Sequence, residues 1–363
     1  MSRLASGVRL LPRFFMKPFF LLACLFPALP ALAAQIVLVA GGTRDEVDIP
    51  AAEARLREPF GTEFDSGGHL WIVEMVSGNR LLQVDGGGQI SHIAGQLKPG
   101  FSGDGGPAIR AQFNGPHNFA ILPDDSLLIA DTWNGRIRRV DIKSRLITTL
   151  EGWQAPAEKS RGNGPFCITL TPDKKRLHIA DLRQVHELDL ATGRSRVVAG
   201  NGKKGVPREG EPSAAQPLVD PRAAAEDRQG NLYILERTGN ALRVVGRDGR
   251  IRTVVNASGK KGADGDGGPA LEATMNGPKH LCVDRDDSIL IADAENHLIR
   301  RYLPTTGRIE RVAGTGQKGA AGVGGSPLKC QLSRPHGVTV HPASGELYIT
   351  DSYNNRILKI ERQ

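Results

Sequence analysis

Six segments of this chain begin at a proline and run through an alternating apolar pattern to an acidic residue. They read EPFGTEFDSGGHLWIVE from Glu58, GPHNFAILPDDSLLIAD from Gly115, GPFCITLTPDKKRLHIAD from Gly164, DPRAAAEDRQGNLYILE from Asp220, GPKHLCVDRDDSILIAD from Gly277 and RPHGVTVHPASGELYITD from Arg334. The prolines stand at 59, 116, 165, 221, 278 and 335, a mean spacing of about 55 residues. The acids Glu74, Asp131, Asp181, Glu236, Asp293 and Asp351 follow them by 15 or 16 residues. Each unit predicts a strand after the proline, a turn rich in Asp, Gly and Ser, a second strand such as SLLIAD, and a third such as RIRRV from Arg136. A fourth strand closes on Val/Ile-Ala-Gly in SHIAG at Ser91, RVVAG at Arg196 and RVAG at Arg311. Four short strands per repeat, six times over, predict an all-β fold, a six-bladed β-propeller.

The last unit stops at Gln363 after three strands, and QIVLVAGG from Gln35 to Gly42 has the pattern of the missing fourth. The expected ring is therefore closed by the N-terminal strand pairing into the last blade, which removes open sheet edges. Residues 35–363 then form one domain. Ahead of it, residues 1–34 carry Arg3, Arg9, Arg13 and Lys17, an apolar stretch from Pro18 to Ala34, and small residues at Ala31, Ala33 and Ala34. This is the pattern of a secretory signal peptide, so the mature protein is expected to be secreted or periplasmic, free of the membrane. Losing the leader takes the net charge from +8 to +4, too small a surplus to argue for a nucleic-acid partner. Cys167, Cys282 and Cys330 are widely spaced and odd in number, which implies no disulfide framework.

IADTWNGRIRRV from Ile129 and ITDSYNNRILKI from Ile349 resemble NHL repeats, and the resemblance covers essentially all of the mature chain. The connections GFSGDGGPA at Gly100 and GADGDGGPA at Gly262 are similar to those of secreted bacterial NHL proteins. The resemblance implies the propeller fold; NHL propellers include enzymes, adhesion modules and scaffolds, so it leaves activity open.

In a propeller the residue after each repeat proline lies near one mouth of the central channel. These residues are Phe60, His117, Phe166, Arg222, Lys279 and His336. The pattern is partly similar to the zinc-dependent peptidyl-amidoglycolate lyase, whose metal ligands are His at this position in alternate blades. The resemblance implies His117 and His336 as metal ligands and Tyr353 as a catalytic acid or base, with Arg237 matching an arginine of the lyase. Arg222 stands where the third His would be, and Tyr353 is in a different blade. RPHGVTVHPASGELYITDS from Arg334 is also similar to a blade of the gluconolactonase-type hydrolases, which hold a central calcium, but His336 replaces their Asn. In either enzyme reading Arg222 and Lys279 would hold a substrate carboxylate, and zinc or calcium would be the cofactor.

Asp104, Asp264 and Asp266 sit among glycines and are read as turn formers, with calcium binding the alternative. The repeat acids are read as structural, accepting backbone N–H bonds in the following turn. Arg136, Arg138, Arg139, Arg300 and Arg301 lie on third strands, where half are expected to face solvent. No complete catalytic set assembles, so the first expectation is a monomeric binding scaffold for a protein, peptide or glycan ligand, engaged by loops around Phe101, Trp133 and Tyr353; a metal-dependent lyase or hydrolase is the alternative.

Overall fold

The second strands are mostly runs of apolar residues, as in Leu70–Glu74, Leu127–Asp131 and Leu232–Glu236, where all five residues are buried. Such runs, rather than an apolar-polar alternation, belong to strands covered on both faces. That is the situation of a blade packed between two others. The structure, a computed structural model, describes Met1, residues 34–155 and residues 164–361. The leader read at residues 1–34 lies, apart from Met1 and Ala34, outside the described residues. Among the described residues no helix is long and apolar enough to cross a membrane.

Residues 33–363 form one unit of six antiparallel sheets. Blades 1 to 5 start at the strands Pro59–Phe64, Phe119–Ile121, Cys167–Leu170, Pro221–Glu226 and His280–Val283 and run outward in sequence order. Blade 1 carries an extra outer strand, Ile49–Pro50. Blade 6 contains Gly337–Val340, Leu347–Asp351 and Arg356–Glu361, and its fourth strand is Gln35–Ala40. The inner strands touch in turn, and that of blade 6 touches that of blade 1, so the ring is closed. Six hydrophobic clusters fill the spaces between successive blades.

Closure has a specific register. Ile36 faces Ile360 and Leu38 faces Leu358, with a bulge before Ala40. Ile36 is fully buried between blades 5 and 6, and Ala40 between blades 6 and 1. The outer side of this strand is covered as well: Ile36 donates to Gly325 O and accepts from Gly324 N–H. The same device recurs in the glycine-rich connections. Gly105 and Gly106 pair with Ile147, Gly210 and Glu211 with Ile251, and Gly267 and Gly268 with Ile309, in each case on the outermost strand of the next blade. Gly105 and Gly267 hold φ of +80° and +78°, a conformation that glycine adopts without penalty. The connections therefore cover exposed strand edges that would otherwise pair with other chains.

The three described thiols, Cys167, Cys282 and Cys330, are free. Of the third-strand arginines, Arg138 and Arg300 turn inward and are fully buried, while Arg136, Arg139 and Arg301 keep partial exposure.

The closing strand is expected to be a point of high stability cost. Ile36→Ala should lower the unfolding free energy by about 2–5 kcal/mol, while Leu38→Ala, at an exposed position of the same strand, should cost less than about 1 kcal/mol. Urea unfolding of the mature propeller measures both; equal losses would contradict the closure described.

Candidate functional site

The entry of the chain into each inner strand is tied by the backbone immediately before the repeat proline. In five blades the repeat acid accepts the N–H of the residue two before that proline. Glu74 takes Arg57 N–H, Asp131 takes Asn114, Glu236 takes Val219, Asp293 takes Asn276 and Asp351 takes Ser333, at 2.7–2.9 Å. The donor thus lies in the preceding connection and not in the turn that follows the acid. Among the described residues only Asp181 accepts backbone N–H groups from its following turn, at Arg183 and Gln184, whereas Asp131, Asp293 and Asp351 accept there from the side chains of Asn134, Asn296 and Asn354.

The N–H one before the proline is captured by the previous blade. Gly115 donates to Asn79 Oδ1, Gly277 to Asn240 Oδ1, Arg334 to His297 Nδ1 and Glu58 to Asn355 Oδ1. All four acceptors sit at φ of +49° to +57°, which suits Asn better than most residues. Proline offers no N–H, so in these four blades the entry is fully paired and its direction set.

Third-strand arginines complete the clamp. Arg80, Arg243 and Arg356 hydrogen-bond the acids of their own blades, and Arg138 and Arg300 lie 3.6 and 3.5 Å from Asp131 and Asp293. Arg138 also binds Asp104 and the Ser102 and Gln112 carbonyls; Arg300 binds Asp266 and the Asp264 and Thr274 carbonyls. The cation held by these aspartate turns is a guanidinium from the next blade. In blade 3 His186 takes the arginine's place, 2.9 Å from Asp181.

The six residues after the prolines converge at the channel mouth. The Phe60 ring stacks on His336 with centroids 4.1 Å apart and meets His117 edge-on at 5.3 Å, so it stands between the two imidazoles. His117 meets Phe166 at 4.9 Å, and the Arg222 guanidinium lies 4.6 Å over the Phe166 ring. His280, one position further along blade 5, turns to blade 6 and faces Val338 N–H at 3.5 Å.

A rim surrounds this floor. Tyr353 stacks on His336 at 5.7 Å and accepts a bond from Arg334 at 3.2 Å; Trp133 stands edge-on to His117 at 6.3 Å. Both rings are about half exposed, at 47% and 48%. Arg237 is paired with Asp220, and Glu295 with Arg334 and, at 3.7 Å, with Lys279. Asp220, Glu295 and Arg334 escaped the sequence reading. Their signal was positional, since rim residues fall beside the repeat proline or one to two after the repeat acid. Phe101 belongs elsewhere: it lies under Arg136, 3.8 Å away, and among the described residues no ring contact joins it to the mouth.

Burial controls the protonation of the floor. His117 and His336 are both held well below the ordinary imidazole range, first by burial and then by the charges of Arg222 and Lys279. Burial also pushes Lys279 down to about 8, helped by Arg222 and Arg237 and opposed by Glu295. Arg222 falls to about 9 through burial and Arg237, with Asp220 opposing.

This donor set does not suit a zinc or calcium ion. Two neutral imidazoles are separated by a phenyl ring and face two cations that would repel a metal, and Glu295 is already committed to Arg334. Elsewhere His178, Glu187 and Glu226 come together between blades 3 and 4. A cation already lies among them, for Arg176 is 2.8 Å from Glu187 and 3.9 Å from Glu226, and Arg196 also binds Glu187.

The arrangement defines a six-bladed propeller with a cationic, aromatic-rimmed mouth. The NHL repeat model matches residues 332–360, most of blade 6. The chain is 28% identical over 274 residues to the protein SUPPRESSOR OF QUENCHING 1, chloroplastic, of Arabidopsis thaliana, a match covering 69% of this chain and 25% of that protein. It is 24% identical over 332 residues to NHL repeat-containing protein 2 of Gallus gallus, covering 81% and 45%. An auxiliary nutrient binding protein from Bacteroides thetaiotaomicron superposes with a TM-score of 0.65 over 90% of this chain and 76% of that one, at 16% identity. The chain is a six-bladed β-propeller whose last blade matches the NHL repeat. It spans less than half the length of these two curated relatives.

Two outcomes follow from the site. Asp293→Ala leaves Arg300 buried beside an empty acceptor position and is expected to cost about 3–5 kcal/mol in urea unfolding; a loss below about 1 kcal/mol would mean that the clamp carries little. Lys279→Met should leave the protein as stable or about 1 kcal/mol more stable at pH 7, since it removes a buried ammonium. The folded-state value of Lys279 lies below its ordinary 10.5, so the wild type gains stability as pH rises from about 8 towards 10.5. The advantage of the variant should shrink over that window, as read by thermal unfolding; an advantage that grows would contradict the assignment.

Proposed function

We propose that this propeller is a ligand-binding protein, a scaffold that holds a protein, peptide or glycan ligand at the channel mouth. The observation that carries the reading is the pair of half-exposed rings, Trp133 and Tyr353, placed on alternate blades and each set against a buried imidazole of the floor. Exposed aromatic rings held by packing give contact area at small entropic cost, which is what a binding rim requires. The likeness to a nutrient binding propeller is consistent with this reading. So is the charge of the floor, which is unsuited to an apolar core and suited to contact with a polar ligand.

Trp71 and Trp153 are buried and Trp133 is half exposed, so Trp133 emission reports on the mouth. A panel of defined peptides and oligosaccharides should contain a member that changes this emission saturably, with binding lost in Tyr353→Ala while the unfolding transition is kept. Binding that survives both Tyr353→Ala and Trp133→Ala would move the site away from the mouth, and a panel with no binder at millimolar concentration would contradict the reading.

The metal-dependent lyase or hydrolase reading has less support, because the donor set does not suit the ion. Elemental analysis of the mature chain purified without chelator or affinity tag is expected to show no stoichiometric zinc or calcium. About one ion per chain, lost in the His117→Ala, His336→Ala double variant, would reverse the order of the two readings.

We also propose that the chain is exported and cleaved after Ala34, leaving the mature protein in the periplasm or outside the cell. N-terminal sequencing of the exported protein should begin at Gln35. A start beyond Ala40 would remove the closing strand and is incompatible with the fold.

A further inference from the structure

We propose that the mouth is a carboxylate-binding site, in which Arg222 with Lys279 beside it receives the anionic end of a ligand whose apolar body lies against Trp133 and Tyr353. This rests on the mouth being the ligand site and names the chemistry of the ligand.

Arg222 carries the inference. The residue is 5% exposed, and its Nε and Nη1 are buried with no acceptor. Among the described residues the guanidinium has neither a hydrogen bond nor an ion pair. A buried, unpartnered guanidinium is costly, and proteins retain one rarely without a use for it. The nearby carboxylates are spoken for. Asp220 gives Oδ2 to Arg237 Nε at 3.0 Å and Nη2 at 2.9 Å. Glu295 is bound to Arg334 and stands 3.7 Å from Lys279, beyond a hydrogen bond.

The charges at the mouth therefore do not cancel. Among the described residues linked to Arg222 and Lys279 at the mouth, Arg237 and Arg334 are the further cations and Asp220 and Glu295 the anions, four charges against two, with both imidazoles neutral. Phe166 covers one face of the Arg222 guanidinium at 4.6 Å, and the in-plane Nε and Nη1 groups are buried without an acceptor. A planar, two-oxygen anion matches such a fork, and a carboxylate is the group of that shape. The rim decides what the carboxylate is attached to. Trp133 and Tyr353 offer ring faces and edges to an apolar or aromatic body, which a bare inorganic anion lacks. Asp220 Oδ1 is also without a partner, so an ordered water between it and Arg222 is the competing explanation.

The test uses a matched pair of probes, N-acetyl-phenylalanine and its carboxamide, which differ only in the charged group, with inorganic phosphate as a third arm. Each is titrated into the mature propeller and followed by Trp133 emission and calorimetry. The acid is expected to bind at least roughly tenfold more tightly than the amide and than phosphate, and Arg222→Met to lower its affinity by at least roughly tenfold with a cooperative unfolding transition kept. If Arg222→Met does not fold, Lys279→Met takes its place, with a loss of at least roughly threefold expected. Equal affinity for acid and amide, equal affinity for phosphate, no binding of the acid at millimolar concentration, or binding indifferent to the cation replaced would each overturn the inference. A neutral peptide or oligosaccharide that binds through Trp133 and Tyr353 while Arg222→Met leaves it unaffected would overturn the carboxylate assignment alone and leave the mouth as the ligand site.

Discussion

The pairing of two backbone N–H groups just ahead of the repeat proline, seen complete in blades 1, 2, 5 and 6, governs this molecule. One is taken by the repeat acid of the same blade, as in Asn276 to Asp293, and the other by a left-handed Asn or His of the previous blade, as in Gly277 to Asn240. Because proline has no N–H, those two bonds complete the pairing at the point where the chain turns into the channel wall. Blades 1, 2, 5 and 6 are thus hung from their own second strand and from their neighbour's turn. The chain of contacts passes across the closure too, where Asn355 of blade 6 receives Glu58 N–H ahead of blade 1. What the next residue does follows from this. With the entry set, the side chain after the proline has one direction available, and six of them meet at the mouth.

Around that constraint the apolar packing is distributed rather than central. The clusters lie between blades, so no blade buries its faces alone, and stability depends on the ring being complete. The strand Gln35–Ala40 completes it from the other end of the chain, contributing Ile36 to one interface and Ala40 to the next. The glycine-rich connections then cover the outer strands. They are the longest segments between blades and invite a reading as binding loops, yet much of their backbone is spent on edge pairing and on the buried Arg138 and Arg300. This leaves the rim turns after the repeat acids as the part of the loops that presents side chains to a ligand.

The period of the repeat, the strand count and the closing strand were all legible in the sequence, because they are written in local features: a proline, a turn, an aliphatic run and an acid at constant spacing. The positions facing the mouth were legible for the same reason. Their chemistry was less so. Whether His117 and His336 could share an ion depended on Phe60, which lies between them and belongs to the blade that follows one and precedes the other around the ring. Whether Arg222 was paired depended on Asp220, two residues away, being taken by Arg237. Neither is a matter of spacing. The clamp arginines were visible as a recurring residue five to seven positions after the acid, but alternation said only that half of the third-strand arginines face solvent, and the burial of Arg138 and Arg300 needed the connection from the preceding blade to fold over them.

The central claim is that the mouth holds an anion on Arg222 beneath an aromatic rim. The most direct measurement is a crystal structure of the mature propeller soaked with 4-bromobenzoate, with the bromine located by its anomalous signal. The account predicts a carboxylate on the Arg222 N–H groups with the bromine beside Trp133 or Tyr353. A water between Arg222 and Asp220, with the bromine elsewhere or absent, would contradict it.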